Sequence, residues 1–268
     1  MGEVASPVAF ALFSWWFGTG LVFLFERALR RHRKLAIPGV LALGAVSFYG
    51  IVLSASMRDA SGAYLGFAAS VGLWGALELS FLSGLVTGPR RMACAAGCRG
   101  WRHFGHGIMA LLYHELALAA CAAAVAAACH GQPNVTAACT FGLLWVMRES
   151  AKLNLFLGVR NTAAELLPGR LSHLACYFGS SRINPLLPVS IGGAALVDFL
   201  LVRHTLPAAL PDLDRAATLL LATLLALAIV EHVVLVLPIR ADALWTWATR
   251  QPAKASGVPK RAETLGSL

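Results

Sequence analysis

The sequence predicts an all-α membrane protein: a polytopic bundle of about seven transmembrane helices forming one domain over residues 1–249. Three observations carry this. Hydrophobic residues make up 58% of the 268-residue chain and charged residues only 13%. Apolar runs of about 20 residues, the length that crosses a bilayer, recur from end to end. The runs are continuous rather than alternating, which selects helices over a closed barrel, the other structure that satisfies its own backbone in lipid. A net charge of +9 could suggest nucleic acid. The basic residues, however, cluster between the apolar runs and in the tail, so membrane lipid is the expected partner and nucleic acid is not.

The first span covers 6–25 and holds Trp15, Trp16, Gly18 and Gly20. No basic stretch precedes it and no small-residue cleavage site follows, so it reads as an uncleaved helix. After the basic stretch 26–34 comes span 2 over 36–55, then span 3 over 63–86 with Glu78 inside it. The connection 87–103 has Gly-Pro punctuation, four Arg and an interfacial Trp101. Span 4, over 104–129, carries His106, His114 and Glu115. Span 5, over 136–156, has no Pro or Gly between Gly142 and Gly158, so its apolar start and its Arg148, Glu149, Lys152 and Asn154 belong to one helix. The polar connection 158–185 has room for an interfacial helix over 166–178. Span 6 covers 186–202 with Asp198, and span 7 covers 216–237 with Glu231 and His232. Trp245 and Trp247 suit an interface, and 250–268 reads as a disordered cytoplasmic tail.

Seven spans put the termini on opposite sides. The segments 26–34, 87–102, 148–185 and 239–268 carry 5, 4, 5 and 5 Lys/Arg, which is 19 of the 22 in the chain. Basic residues stay in the cytoplasm, so the N-terminus is expected in the periplasm and the C-terminus in the cytoplasm. The six cysteines then fall mostly in spans or on the cytoplasmic side, which argues against a disulfide framework. Cys94 and Cys98 lack a second pair, so they make a poor zinc site.

With this orientation Glu78, Glu115 and Glu231 lie roughly 9–17 Å from the cytoplasmic face at about 1.5 Å per residue, and Arg148 and Glu149 lie at a similar depth. Ionisable groups within spans cost about 2.5–3.5 kcal/mol each even on lenient scales, so they are usually paired or functional. Several readings stay open. The layer is structural glue, in which carboxylates neutralise Arg148 and Lys152. It is a ligand site, in which a histidine of the stripe His103, His106 and His114 coordinates a metal or a tetrapyrrole magnesium. Or it belongs to a metal-dependent enzyme, against which stand the adjacent pairs His114-Glu115 and Glu231-His232, since helix neighbours point about 100° apart. Transport is the weakest case, with no repeats or broken helices evident.

Six stretches carry a family resemblance: Glu78-Leu79-Ser80-Phe81-Leu82, Thr87-Gly88-Pro89-Arg90-Arg91, Leu112-Tyr113-His114-Glu115-Leu116, residues 150–161, Ile183-Asn184-Pro185-Leu186, and Glu231-His232. The chain resembles the PuhE family, photosynthetic complex assembly proteins of purple bacteria. The resemblance implies a photosynthesis gene cluster and residence in the bacterial inner or intracytoplasmic membrane. It also implies a role in assembling reaction-centre or light-harvesting subunits or in supplying bacteriochlorophyll. On that footing bacteriochlorophyll or a precursor is the expected cofactor. His114 and His232 are the candidate axial ligands, with His106 also in the stripe. Glu115, Glu149 and Glu231 are expected to support the ligands, and Arg148, Lys152 or Arg160 to meet propionate-type carboxylates. The alternative is a membrane-embedded metal-dependent enzyme of pigment metabolism.

Overall fold

A computed structural model of the chain describes residues 2–95, 97–162, 164, 167–207, 209–238 and 245–249. The expected tail 250–268 lies outside them. The regular elements are helical: α1 (Gly2–Arg31), α2 (Ala36–Ala55), α3 (Ala60–Leu82), α4 (Gly100–Cys129), α5 (Thr136–Leu157), α6 (Leu186–His204), α7 (Asp212–Val234), a short α8 (Thr246–Thr249), and a 3-10 helix over Gly169–Tyr177. Six of them are long and apolar enough to cross a membrane: α1 over Val4–Leu29, and α2, α3, α4, α6 and α7 over their full lengths. The expected fifth span exists as α5, but Arg148, Glu149 and Lys152 keep it out of that set.

The hub is α3. Asp59 caps its start, with its Oδ1 accepting the Gly62 amide at 3.1 Å and the Ser61 hydroxyl at 2.7 Å. Those two bonds hold the Asp59 carboxyl below its ordinary range. Small residues then let neighbours come close. A Cβ on Gly66 would stand 3.0 Å from Ser54 Oγ and 3.4 Å from the backbone nitrogen of Ala137. One face of α3 packs with α2, α4 and α5 around Ile51, Leu73, Leu118, Val125 and Phe141. Another packs with α1 and α7 around Ala11, Phe67, Leu220 and Leu224. Along its length α3 is tied to α5, by the Ser70 hydroxyl on the Ala137 carbonyl at 3.0 Å and by Arg148 on Glu78 at 3.2 Å.

Span 3 was expected to reach residue 86, but α3 ends at Leu82. Ser83 and a left-handed Gly84 (φ 72°) turn the chain so that the Thr87 loop can dock on α4. There the Thr87 carbonyl accepts the His114 amide at 2.9 Å, and the Arg90 amide reaches the Met109 carbonyl at 3.3 Å. The helix expected near 166–178 is the 3-10 segment. It does not lie with its apolar face on lipid: Leu171, Leu174 and Tyr177 are buried against Phe81 and Ala110. Cys94 and Cys176 are joined by a disulfide, which fastens the 87–99 loop to this segment, a single bond where the sequence argued against a disulfide framework.

Candidate functional site

The polar side chains gather where α3, α4, α5, α6 and α7 approach their basic ends, because α5 presents its charged residues on two adjacent turns. Arg148 faces α3, where its Nη2 donates to Glu78 Oε2 at 3.2 Å. One turn later Lys152 faces α4, and its Nζ bridges Glu115 Oε1 at 2.5 Å and Glu149 Oε1 at 2.7 Å. The i,i+3 spacing of Glu149 and Lys152 supplies the second contact within one helix. Arg148 also lies within electrostatic reach of Glu231, Glu149 and Glu115, yet its side chain remains 43% exposed. Glu231 is exposed as well, and its Oε1 accepts the indole N–H of Trp15 on α1 at 2.8 Å.

The two layer histidines are buried and differ in their surroundings. The His114 ring lies against Phe81 with 4.6 Å between centroids. Its Nε2 is 3.9 Å from Glu78 Oε1, and its Nδ1 has no hydrogen-bond partner among the described residues. His232 Nδ1 lies 2.8 Å from the Ala228 carbonyl, which only an N–H can meet. With Nδ1 donating there, the Nε2 of the singly protonated tautomer can accept from the Ser150 hydroxyl, 2.9 Å away. Hydroxyl protons rotate to suit their partners, so Ser150 in turn accepts from Ser190 at 2.9 Å, and Ser190 accepts from Asn154 Nδ2 at 3.2 Å.

Of the expected site residues, Glu115, Arg148, Glu149, Lys152, His114 and Glu231 are thus brought into one charged set with Glu78. His232 stands beside it at the end of a hydroxyl chain. His106 is elsewhere, near the start of α4 with its Nδ1 3.3 Å from Cys98 Sγ. Both nitrogens of His232 are engaged, and the Nε2 of His114 faces a carboxylate with an aromatic ring on its flank. Among the described residues no group of three or more His, Cys, Asp or Glu side chains is placed to hold a metal ion. Sequence reasoning missed Ser150, Ser190 and Trp15 as members. The i,i+4 pair Ser150 and Asn154 was the available signal for the first, while Ser190 and Trp15 carry none in the sequence alone.

The model of a family described as "protein of unknown function (DUF3623)" matches residues 1–256. A protein of Rhodobacter capsulatus, described as "uncharacterized 30.4 kDa protein in puhA 5'region", is 34% identical over 255 residues, 92% of this chain and 93% of that protein. No solved structure matches.

Proposed function

The chain belongs to the DUF3623 family, and from that premise we propose that it is a multi-pass inner-membrane assembly factor of the photosynthetic apparatus. It acts as a scaffold that docks a basic group of a client subunit on its polar layer. The PuhE-like stretches support the assembly role, as does the relative's place in the puhA 5' region. In this reading α5 is a seventh span. It runs beside α3 from Ala137 to Arg148, and its charges are met by Glu78 and Glu115 rather than by lipid. The N-terminus is then periplasmic and the C-terminus cytoplasmic.

The observation that carries the scaffold reading is the charge balance. Glu78, Glu115, Glu149 and Glu231 face two cations, Arg148 and Lys152. The two surplus carboxylates, with Glu231 exposed, are what a Lys or Arg of a client helix would neutralise.

The test uses the double variant Glu149→Gln with Glu231→Gln, which keeps the acceptor oxygens toward Lys152 and Trp15 and removes the surplus charge. Near-infrared absorption of reaction-centre and light-harvesting complexes should fall severalfold, with the variant accumulating at its normal level. A full yield of complexes would sink the docking role. Accumulation of one defined pigment precursor in a deletion strain would replace the scaffold by an enzyme.

A further inference from the structure

We propose that the cavity between the end of α3, the Thr87 loop and the 3-10 helix binds a phosphate group, carried by an anionic lipid headgroup or free as inorganic phosphate. The site is separate from the carboxylate layer and does not depend on the scaffold reading. The cavity measures about 150 Å³ and is lined by Ser83, Thr87, Arg91, Arg170 and His173 among others. Two guanidiniums, an imidazole and the Thr87 hydroxyl therefore meet there with no carboxylate among the lining residues, while the Ser83 hydroxyl donates to the Ser80 carbonyl at 3.1 Å. That donor set matches a phosphate, whose oxygens only accept.

Each donor is held by something local. Arg170 Nη1 donates to the Ser83 carbonyl, which brings its guanidinium over the turn. Gly84 keeps that path open: a Cβ there would stand 2.8 Å from Arg170 Cδ. The Thr87 side chain is only 3% exposed, and its hydroxyl has no hydrogen-bond partner among the described residues. A buried hydroxyl left unpaired costs about 1–3 kcal/mol, and an oxyanion in the cavity would relieve it. His173 is held below its ordinary range, first by burial and further by the charge of Arg91, while its contact with the Arg170 backbone opposes both. Arg91, Arg170 and His173 share this space with no carboxylate lining it. Basic pockets between helix ends at the basic face of a membrane are where anionic headgroups bind. The site also touches the layer, because the Thr87 carbonyl holds the amide of His114.

The full chain, in a phosphate-free maltoside detergent, is titrated with inorganic phosphate in one arm and with short-chain phosphatidylglycerol in the other. The readout is the pKa of His173, followed by NMR of its labelled ring. Occupancy should raise it by about one unit, a tenfold gain in proton affinity, in at least one arm. A rise with lipid alone assigns the headgroup, and a rise with phosphate alone assigns the soluble ion. Arg91→Gln is the deciding variant. It starts from a higher His173 pKa because a repelling charge is gone, and adding the anion should then raise it little further. Thr87→Val keeps the side-chain volume and should weaken half-saturation about fivefold. No rise in either arm, or an undiminished rise in Arg91→Gln, overturns the proposal.

Discussion

Lys152 shows how single residues bind this bundle together. Its ammonium is 19% exposed and lies between Glu115 at 26% and Glu149 at 39%. Lys152→Met would leave two carboxylates facing each other across α4 and α5. Removing one partner of a fully buried pair costs about 3–5 kcal/mol, and the partial exposure of Glu149 lowers the expectation to about 2 kcal/mol. The check is unfolding of the purified variant in detergent. Adding Glu115→Gln to Lys152→Met should restore most of the loss, whereas two independent costs would add. The types of these residues were readable from the chain, and so was their common depth. Their partners were not, because depth fixes the level of a side chain while the rotation of each helix decides what it faces. Hence the bond of Arg148 to Glu78 could not be foreseen. Nothing in the sequence, likewise, places Ser150 against the second nitrogen of His232.

Between elements, polar residues at helix ends act as clamps. Asn184 is buried between α5 and α6. Its Nδ2 donates to the carbonyls of Asn154 at 3.2 Å and Gly158 at 2.9 Å, and its Oδ1 accepts the amides of Leu186 and Leu187 at 3.0 and 3.2 Å. One side chain thus ties the end of α5 to the start of α6, closing the long connection between them. Asn184→Ala should cost about 2–3 kcal/mol, because buried backbone groups on both helices lose partners. Asn184→Asp should keep the two acceptor bonds and recover part of that. Melting of the two variants against the wild type reads the difference. Gly88 does comparable work by its lack of a side chain. A Cβ there would clash with the backbone of Met109 and Ala110. Gly88→Ala should therefore pry the Thr87 loop off α4, at about 1–3 kcal/mol, with faster exchange of the His114 amide. The helical character of the elements was legible, since apolar length and Gly/Pro punctuation mark them, although α1 (Gly2–Arg31) extends past the expected 6–25 at both ends. The clamps were visible only as motifs, because a short Asn-Pro or Gly-Pro stretch does not say which carbonyl it will meet.

At the scale of the whole molecule, two physical arguments pull in opposite directions. The segments 87–102 and 148–185, with 26–34 and 239–268, carry 19 of the 22 Lys/Arg, which is the ground for the proposed cytoplasmic side. Yet Cys94 and Cys176 lie in two of those segments and are joined in the structure, and disulfides persist in oxidising compartments rather than in a reducing cytoplasm. The charge argument should prevail. It sums over four segments of the chain, whereas a thiol pair held together by folding oxidises readily once the protein leaves reducing conditions. The 3-10 helix would keep the two sulfurs near each other either way, because Leu171, Leu174 and Tyr177 pack it onto Phe81 and Ala110 without the bond. The expectation is therefore that both thiols are reduced in living cells and join on purification in air. Alkylating intact cells with a membrane-permeant reagent before lysis, then mapping peptides by mass, should find Cys94 and Cys176 both modified. A membrane-impermeant reagent should leave both untouched. A disulfide recovered from cells alkylated before lysis, together with labelling of Lys34 in the basic stretch 26–34 by a lysine reagent that cannot cross the membrane, would reverse the orientation. The carboxylate layer would then move to the periplasmic half of the bilayer, and the client's basic group would have to come from that side.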